Sequence, residues 1–144
     1  MIVTLDDVKK RFAFCNKAYF EGKLARPELH VGRFTRDVAR IWWTLSDDKR
    51  KRPQGISIYV SSMFDFPDEM FTDIMCHEMI HLYMLRKNIK DDGSHGTKWQ
   101  KMADELNEKY GLHITQTFEL MPIGELTWGE KLKQFIVDHF FTQH

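Results

Sequence analysis

Apolar side chains recur every three or four positions near the start of the chain, at Leu5, Val8, Phe12, Cys15 and Tyr19. That spacing places them on one face of a helix from Leu5 to Phe20, and Gly22 follows where the helix would end. The period then shortens. Leu29 to Phe34, after Pro27, and Ala39 to Leu45, with Ile41, Trp42 and Trp43, read as strands. From Gly55 to Ser61, Ile56, Ile58 and Val60 alternate with Ser57, Tyr59 and Ser61, the pattern of a half-buried strand. Three strands after one helix predict a small antiparallel or mixed sheet.

Pro67 suits the first position of a new helix, with Asp68 and Glu69 at its positive end. From Glu69 to about Lys87 apolar residues fall all round the helical wheel, so this helix is expected to be buried on most sides. Asp91-Asp92-Gly93-Ser94 breaks it. Thr97-Lys98-Trp99-Gln100 matches a capping box and predicts a helix from Thr97 to about Tyr110, closed by Gly111. Leu112 to Phe118 predicts a short fourth strand. After Pro122 and Gly124, a second capping box at Thr127-Trp128-Gly129-Glu130 opens a last helix carrying Leu132, Phe135, Ile136, His139 and Phe140. The fold class is α+β, with no internal repeat.

With 144 residues the chain fits one domain, and 42% hydrophobic residues supply a core, which excludes wholesale disorder. Equal numbers of acidic and basic side chains, 21 each, exclude a polybasic coat for nucleic acid. No apolar run approaches the roughly 18 residues of a membrane span, and the first residues lack the pattern of a secretory leader. The expectation is a cytoplasmic protein without a membrane partner. Two cysteines, Cys15 and Cys76, are too few for a disulfide scaffold or a four-cysteine zinc ribbon. The charge is unevenly spread. Residues 1–54 hold 13 basic against 7 acidic side chains, a net of +6, and residues 55–144 hold 8 against 14, a net of −6. The densest basic run, Lys49-Arg50-Lys51-Arg52, reads as a solvated loop or as a phosphate-contacting one.

The chemistry lies in His77-Glu78-Met79-Ile80-His81, an H-E-x-x-H motif on the most apolar predicted helix. Residues four apart share a helical face, so His77 and His81 can aim their rings at one point and hold Zn²⁺. Glu78, one residue on, can address a water on the open side of the ion, whose pKa zinc lowers to about 7. Polar groups on so apolar a helix are costly unless ligated or paired, which favours a metal site over chance. His95, after the Asp91–Ser94 turn, is the favoured third ligand. Glu105 on the next helix would complete a two-His, one-Glu set, and Asp91, Asp92 and His113 are weaker candidates. Cys76 points about 100° away from His77 on the wheel and reads as a buried small hydrophobe. Trp42 and Trp43 are adjacent and so face opposite sides of their strand, one toward the core and the other free to act as a stacking platform.

His77-Glu78-Met79-Ile80-His81, followed by His95-Gly96 and Trp99, resembles the SprT-like metalloprotease domain, the family of proteases that digest DNA–protein crosslinks. Phe14-Cys15-Asn16-Lys17-Ala18-Tyr19-Phe20-Glu21-Gly22-Lys23-Leu24 with Pro27 is similar to the family's opening helix and turn. The resemblance covers roughly residues 5–117. It implies a compact zincin-like fold, His77, His81 and His95 as zinc ligands, and Glu78 as the catalytic carboxylate. Residues 118–144 hold no cysteine, whereas many bacterial members append a cysteine-rich ribbon. The expected organisation is a SprT-like zincin domain over 1–117, with 118–144 a helical extension packed on it. The alternative for that extension is a lid or partner surface presenting Trp128, Phe135, Phe140 and Phe141.

The function expected is a zinc-dependent endopeptidase with Glu78 as general base, acting on a polypeptide paired along an exposed sheet edge at Ile56–Ser61, with DNA-associated proteins as candidate substrates. Tyr83, His113 or an arginine would supply an oxyanion donor. A reading from another class is a nucleic-acid-associated binding protein with a structural or inactive metal site, resting on Lys49–Arg52 and the basic first half.

Overall fold

A computed structural model describes residues 1–140. Its elements run α1 (Leu5–Tyr19), β1 (Glu28–Gly32), β2 (Ala39–Leu45), β3 (Pro53–Ser61), α2 (Asp68–Arg86), α3 (Thr97–Tyr110) and α4 (Trp128–Phe140). The class is α+β, as the sequence pattern predicts. α1 opens on a capping box absent from the sequence reading: Thr4 Oγ1 accepts from the Asp7 amide at 3.2 Å, and the Asp7 carboxylate accepts from the Thr4 amide at 2.8 Å.

The sheet is mixed, with order β1-β3-β2. β1 runs parallel to β3, pairing Glu28 with Ser57 and Val31 with Val60. β2 runs antiparallel to β3, pairing Ile41 with Ile58. Both edges of β3 are therefore occupied. The expectation of a substrate pairing along Ile56–Ser61 is wrong, because alternation reports which face of a strand is buried and not whether its edges are free. The open edges belong to β1 and β2.

Ile41, Ile56, Ile58 and Val60 cover the core face of the sheet, against which α2 packs with Ile74, Met75, Met79, Ile80 and Leu82. α1 closes one flank through Val8, Phe12 and Cys15. Cys15 and Cys76 are both buried and reduced.

Residues 112–118 form no strand. Their backbone groups are met by side chains instead: Asn107 brackets Ile114, accepting from its amide at 2.8 Å and donating to its carbonyl at 3.0 Å, and Asp73 accepts from the His113 amide at 3.0 Å. With those partners supplied, the segment needs no sheet ladder.

α4 forms behind the predicted capping box, Thr127 N to Glu130 Oε1 at 3.0 Å and Glu130 N to Thr127 Oγ1 at 3.2 Å. It docks by the face opposite to its apolar one. Glu130, Gln134 and Asp138, four residues apart, meet the segment before β2 and the start of β2 itself: Glu130 pairs with Arg33 at 2.6 Å, Gln134 Oε1 accepts from the Thr35 and Arg36 amides, and Asp138 lies 3.0 Å from Arg40. Arg40 is buried and also holds Asp37 at 2.8 Å. Trp128, Leu132, Phe135 and Ile136 stand exposed, Trp128 at 86%. The side chain of Phe140 and all of Phe141 lie outside the described residues. Among the described residues no helix is long and apolar enough to cross a membrane.

Candidate metal centre

α2 carries His77 and His81 one turn apart, and the turn between α2 and α3 returns His95 over them. The Nε2 atom of His95 lies 3.0 Å from Nε2 of His77 and 3.2 Å from Nε2 of His81. Ligands about 2.05 Å from a tetrahedral zinc stand about 3.3 Å apart, near both His95 separations, and the three ligand atoms all lie within 4.8 Å of one another. They could hold a metal ion.

The surroundings orient the rings. His77 Nδ1 meets the Thr115 carbonyl at 2.7 Å. A donated proton there fixes the tautomer that leaves Nε2 free to coordinate. Trp99, fully buried, lies beneath all three imidazoles, with centroids 4.8 Å from His77, 5.6 Å from His81 and 4.8 Å from His95. Phe118 closes on the far edge of His77 at 5.7 Å. Burial, with His77 and His95 alongside, pulls the His81 ring down to about 2, so it is neutral at physiological pH with its lone pair available. Glu78 is buried beside the cluster, one carboxylate oxygen 4.0 Å from His77 Nε2. Its other oxygen, Oε2, has no hydrogen-bond partner among the described residues. Burial first, and then the Asp37 carboxylate, pushes the Glu78 pKa well above the usual range. A raised pKa makes the ionised carboxylate the stronger base.

His95 owes its position to the turn before α3. Thr97 is not the N-cap, as its capping box predicted; Gly96 is, with no side-chain cap of its own. Asp91 and Asp92 do the capping from the turn. Asp91 accepts from the Lys98 and Trp99 amides, at 3.1 and 2.9 Å, and Asp92 from the Thr97 amide at 2.7 Å. A Cβ on Gly96 would overlap both carboxylates, which is why glycine follows His95.

The SprT-like family model matches residues 8–118. The chain belongs to the SprT-like family. Membership suggests a metalloprotease-type domain, in keeping with the trio of imidazoles. Comparison with curated proteins gave no match.

Other predicted residues of this SprT-like chain fall elsewhere. Lys49, Arg50, Lys51 and Arg52 lie exposed on the β2–β3 turn, which Asp48 organises by accepting from Ser46 Oγ at 2.8 Å and the Arg50 amide at 3.0 Å. Tyr83 faces a groove of about 670 Å³ between α1, α2 and α3 that contains none of the three histidines, and Glu105 lines both that groove and a separate open cleft shared with His95, outside the trio that could hold a metal. His113 is exposed, its amide tied to Asp73. Trp42 tilts against Tyr59 at 5.0 Å on the outer face of the sheet, while Trp43 packs against the core. Thr115, Asp91 and Asp92 are the supporting residues that the sequence did not mark as such. Asp-Asp before a helix start carries a capping signal, whereas a backbone carbonyl such as that of Thr115 carries none.

Proposed function

We propose that the chain is a zinc-dependent endopeptidase. The convergence of the three imidazoles beside the buried Glu78 carboxyl carries this reading. Zinc held by His77, His81 and His95 would supply Lewis acidity, polarising a carbonyl and bringing the pKa of a water to about 7. Glu78 accepts the proton of the attacking water and passes it to the departing amine. The substrate backbone pairs with β2, whose outer edge is open and whose Trp43 and Leu45 share a cavity wall with His81.

Glu78→Gln tests the assignment. It should retain zinc, measured by metal analysis after desalting, and lower cleavage of an unfolded protein substrate by about 10²- to 10⁴-fold. Cleavage at the wild-type rate would remove Glu78 from the mechanism.

The exposed cations of the β2–β3 turn favour a second reading, that a nucleic acid is bound there, whether or not the chain cuts. Binding to DNA should then weaken steeply with salt, survive His77→Ala, and fail when Lys49, Arg50, Lys51 and Arg52 are neutralised together. Binding that ignores that quadruple change would dispose of it.

A further inference from the structure

Beside His81 a cavity of about 190 Å³ opens between the sheet and α2. Its walls are chiefly apolar: Trp43 and Leu45 of β2, Pro53 of β3, Met84 and Leu85 of α2, and Ile89 beyond it. Asn88, Lys90, Asp91, Gly93 and Ser94 complete the lining. Asp91 is already committed, its carboxylate receiving the α3 amides.

We infer that this cavity is the specificity pocket of the enzyme, taking one uncharged apolar side chain from the substrate residue next to the bond that is cut. The inference rests on the endopeptidase reading above and deepens it.

Size gives the first argument. Sites for whole small molecules run from about 300 Å³ upward. At roughly 30 Å³ per water, this cavity holds about six waters, the room of one leucine, methionine or phenylalanine side chain. Chemistry gives the second. A charged side chain entering among Trp43, Met84 and Ile89 would lose hydration, with Lys90 the one uncommitted charge among the described lining residues, whereas an apolar one gains by leaving water.

Strand geometry gives the third. Side chains alternate along a strand, and Ile41, Trp43 and Leu45 share the core-facing side of β2. A peptide paired along the outer edge of β2 sends every second side chain to that same side, toward the cavity. A bulge aims this end of the ribbon. Between the pairs Trp42–Ser57 and Thr44–Gln54, β3 carries one residue more than β2, and Gly55 takes φ 60°. The extra residue resets the alternation, so Pro53 joins Ile56 and Ile58 on the core-facing side and becomes part of the wall. Because His81 is part of the lining, the side chain that fills the cavity belongs to a residue near the reacting bond.

The test uses zinc-loaded Glu78→Gln protein and blocked glycine peptides with a single central Leu, Ala or Asp, binding being read by calorimetry. The Leu peptide should bind about 10-fold or more tighter than the Ala peptide, with Asp weakest. Leu45 is half exposed, so it can be changed without opening the core. Leu45→Trp, which fills part of the cavity, should level Leu and Ala, and Leu45→Ala should shift preference toward Phe. Equal binding of the three peptides, or discrimination untouched by both Leu45 variants, would overturn the pocket. Mass spectrometry of products from the wild-type enzyme separates the two ideas. Cleavage without side-chain preference, alongside equal binding, overturns the pocket and leaves the endopeptidase. Preferential binding with no cleavage overturns the endopeptidase, and with it the cavity's role at a cut bond, leaving only a side-chain pocket beside the histidines.

Discussion

Gly96 is the residue on which the third imidazole depends, and the reason is room rather than backbone freedom. Its φ of −80° is ordinary, but the two aspartates that cap α3 pass where its side chain would be. Gly96→Ala should push those carboxylates off the α3 amides and tilt His95 away from its neighbours. Loss of such an orienting contact costs about 10- to 100-fold in metal affinity. Competition with a colorimetric chelator would measure it, and an unchanged dissociation constant would refute it. At this scale much was legible. His77 and His81 follow from spacing alone, because helical periodicity is local. His95 needed the returning turn, and the Thr115 carbonyl that orients His77 was invisible, since every residue offers one.

At the scale of the element, the start of α3 ties helix formation to ionisation. Desolvation pushes the Asp91 carboxyl up, but hydrogen bonds from the Trp99, Lys98 and Asp92 amides pull it down to about 2. A carboxylate held below its unfolded value stabilises the fold fully above that value and loses the contribution as the pH falls through the folded one. Asp91→Ala should therefore lower Tm at pH 7. The gap from wild type should narrow below about pH 4, near the unfolded aspartate value, and close near pH 2. A gap constant with pH would show that Asp91 acts by packing alone. The sequence placed α1, α2 and α3 to within a residue or two, because caps and apolar period are local signals. It misjudged β3 as an edge and residues 112–118 as a strand. The deciding partners are β1, 29 residues before β3, and, for 112–118, Asp73 from a distant helix with the nearby Asn107 side chain, which no periodicity reveals.

Across the whole molecule, α4 is secured by charge where its apolar spacing predicted a greasy contact. Arg40 has only 3% of its surface exposed and is shared by Asp37 and Asp138. Removing one member of a buried ion cluster costs about 3–5 kcal/mol, because the partner is left charged and dry. Arg40→Met, which strands the Asp37 and Asp138 carboxylates, should show that loss in chemical denaturation and should speed hydrogen exchange in α4 more than in α2. Arg40→Met together with Asp37 and Asp138 made apolar should recover most of it. Recovery would identify the loss as stranded charge; its absence would assign it to packing. The polar row Glu130, Gln134 and Asp138 was present in the sequence at four-residue spacing, but the neighbouring apolar stripe is the stronger signal and points the other way.

The strand order β1-β3-β2 also governs the route by which the chain reaches this shape. β2 and β3 meet across a short turn, Thr44 lying 10 residues from Gln54, while β1 reaches its partner across 29, from Glu28 to Ser57. Closing the longer loop costs more entropy and is repaid only once the hairpin stands. Leu29→Ala, in β1, should therefore accelerate unfolding far more than it slows refolding, and Ile41→Val, in the hairpin, should divide its effect between the two rates. Stopped-flow kinetics on both variants would read the order in which the sheet is assembled.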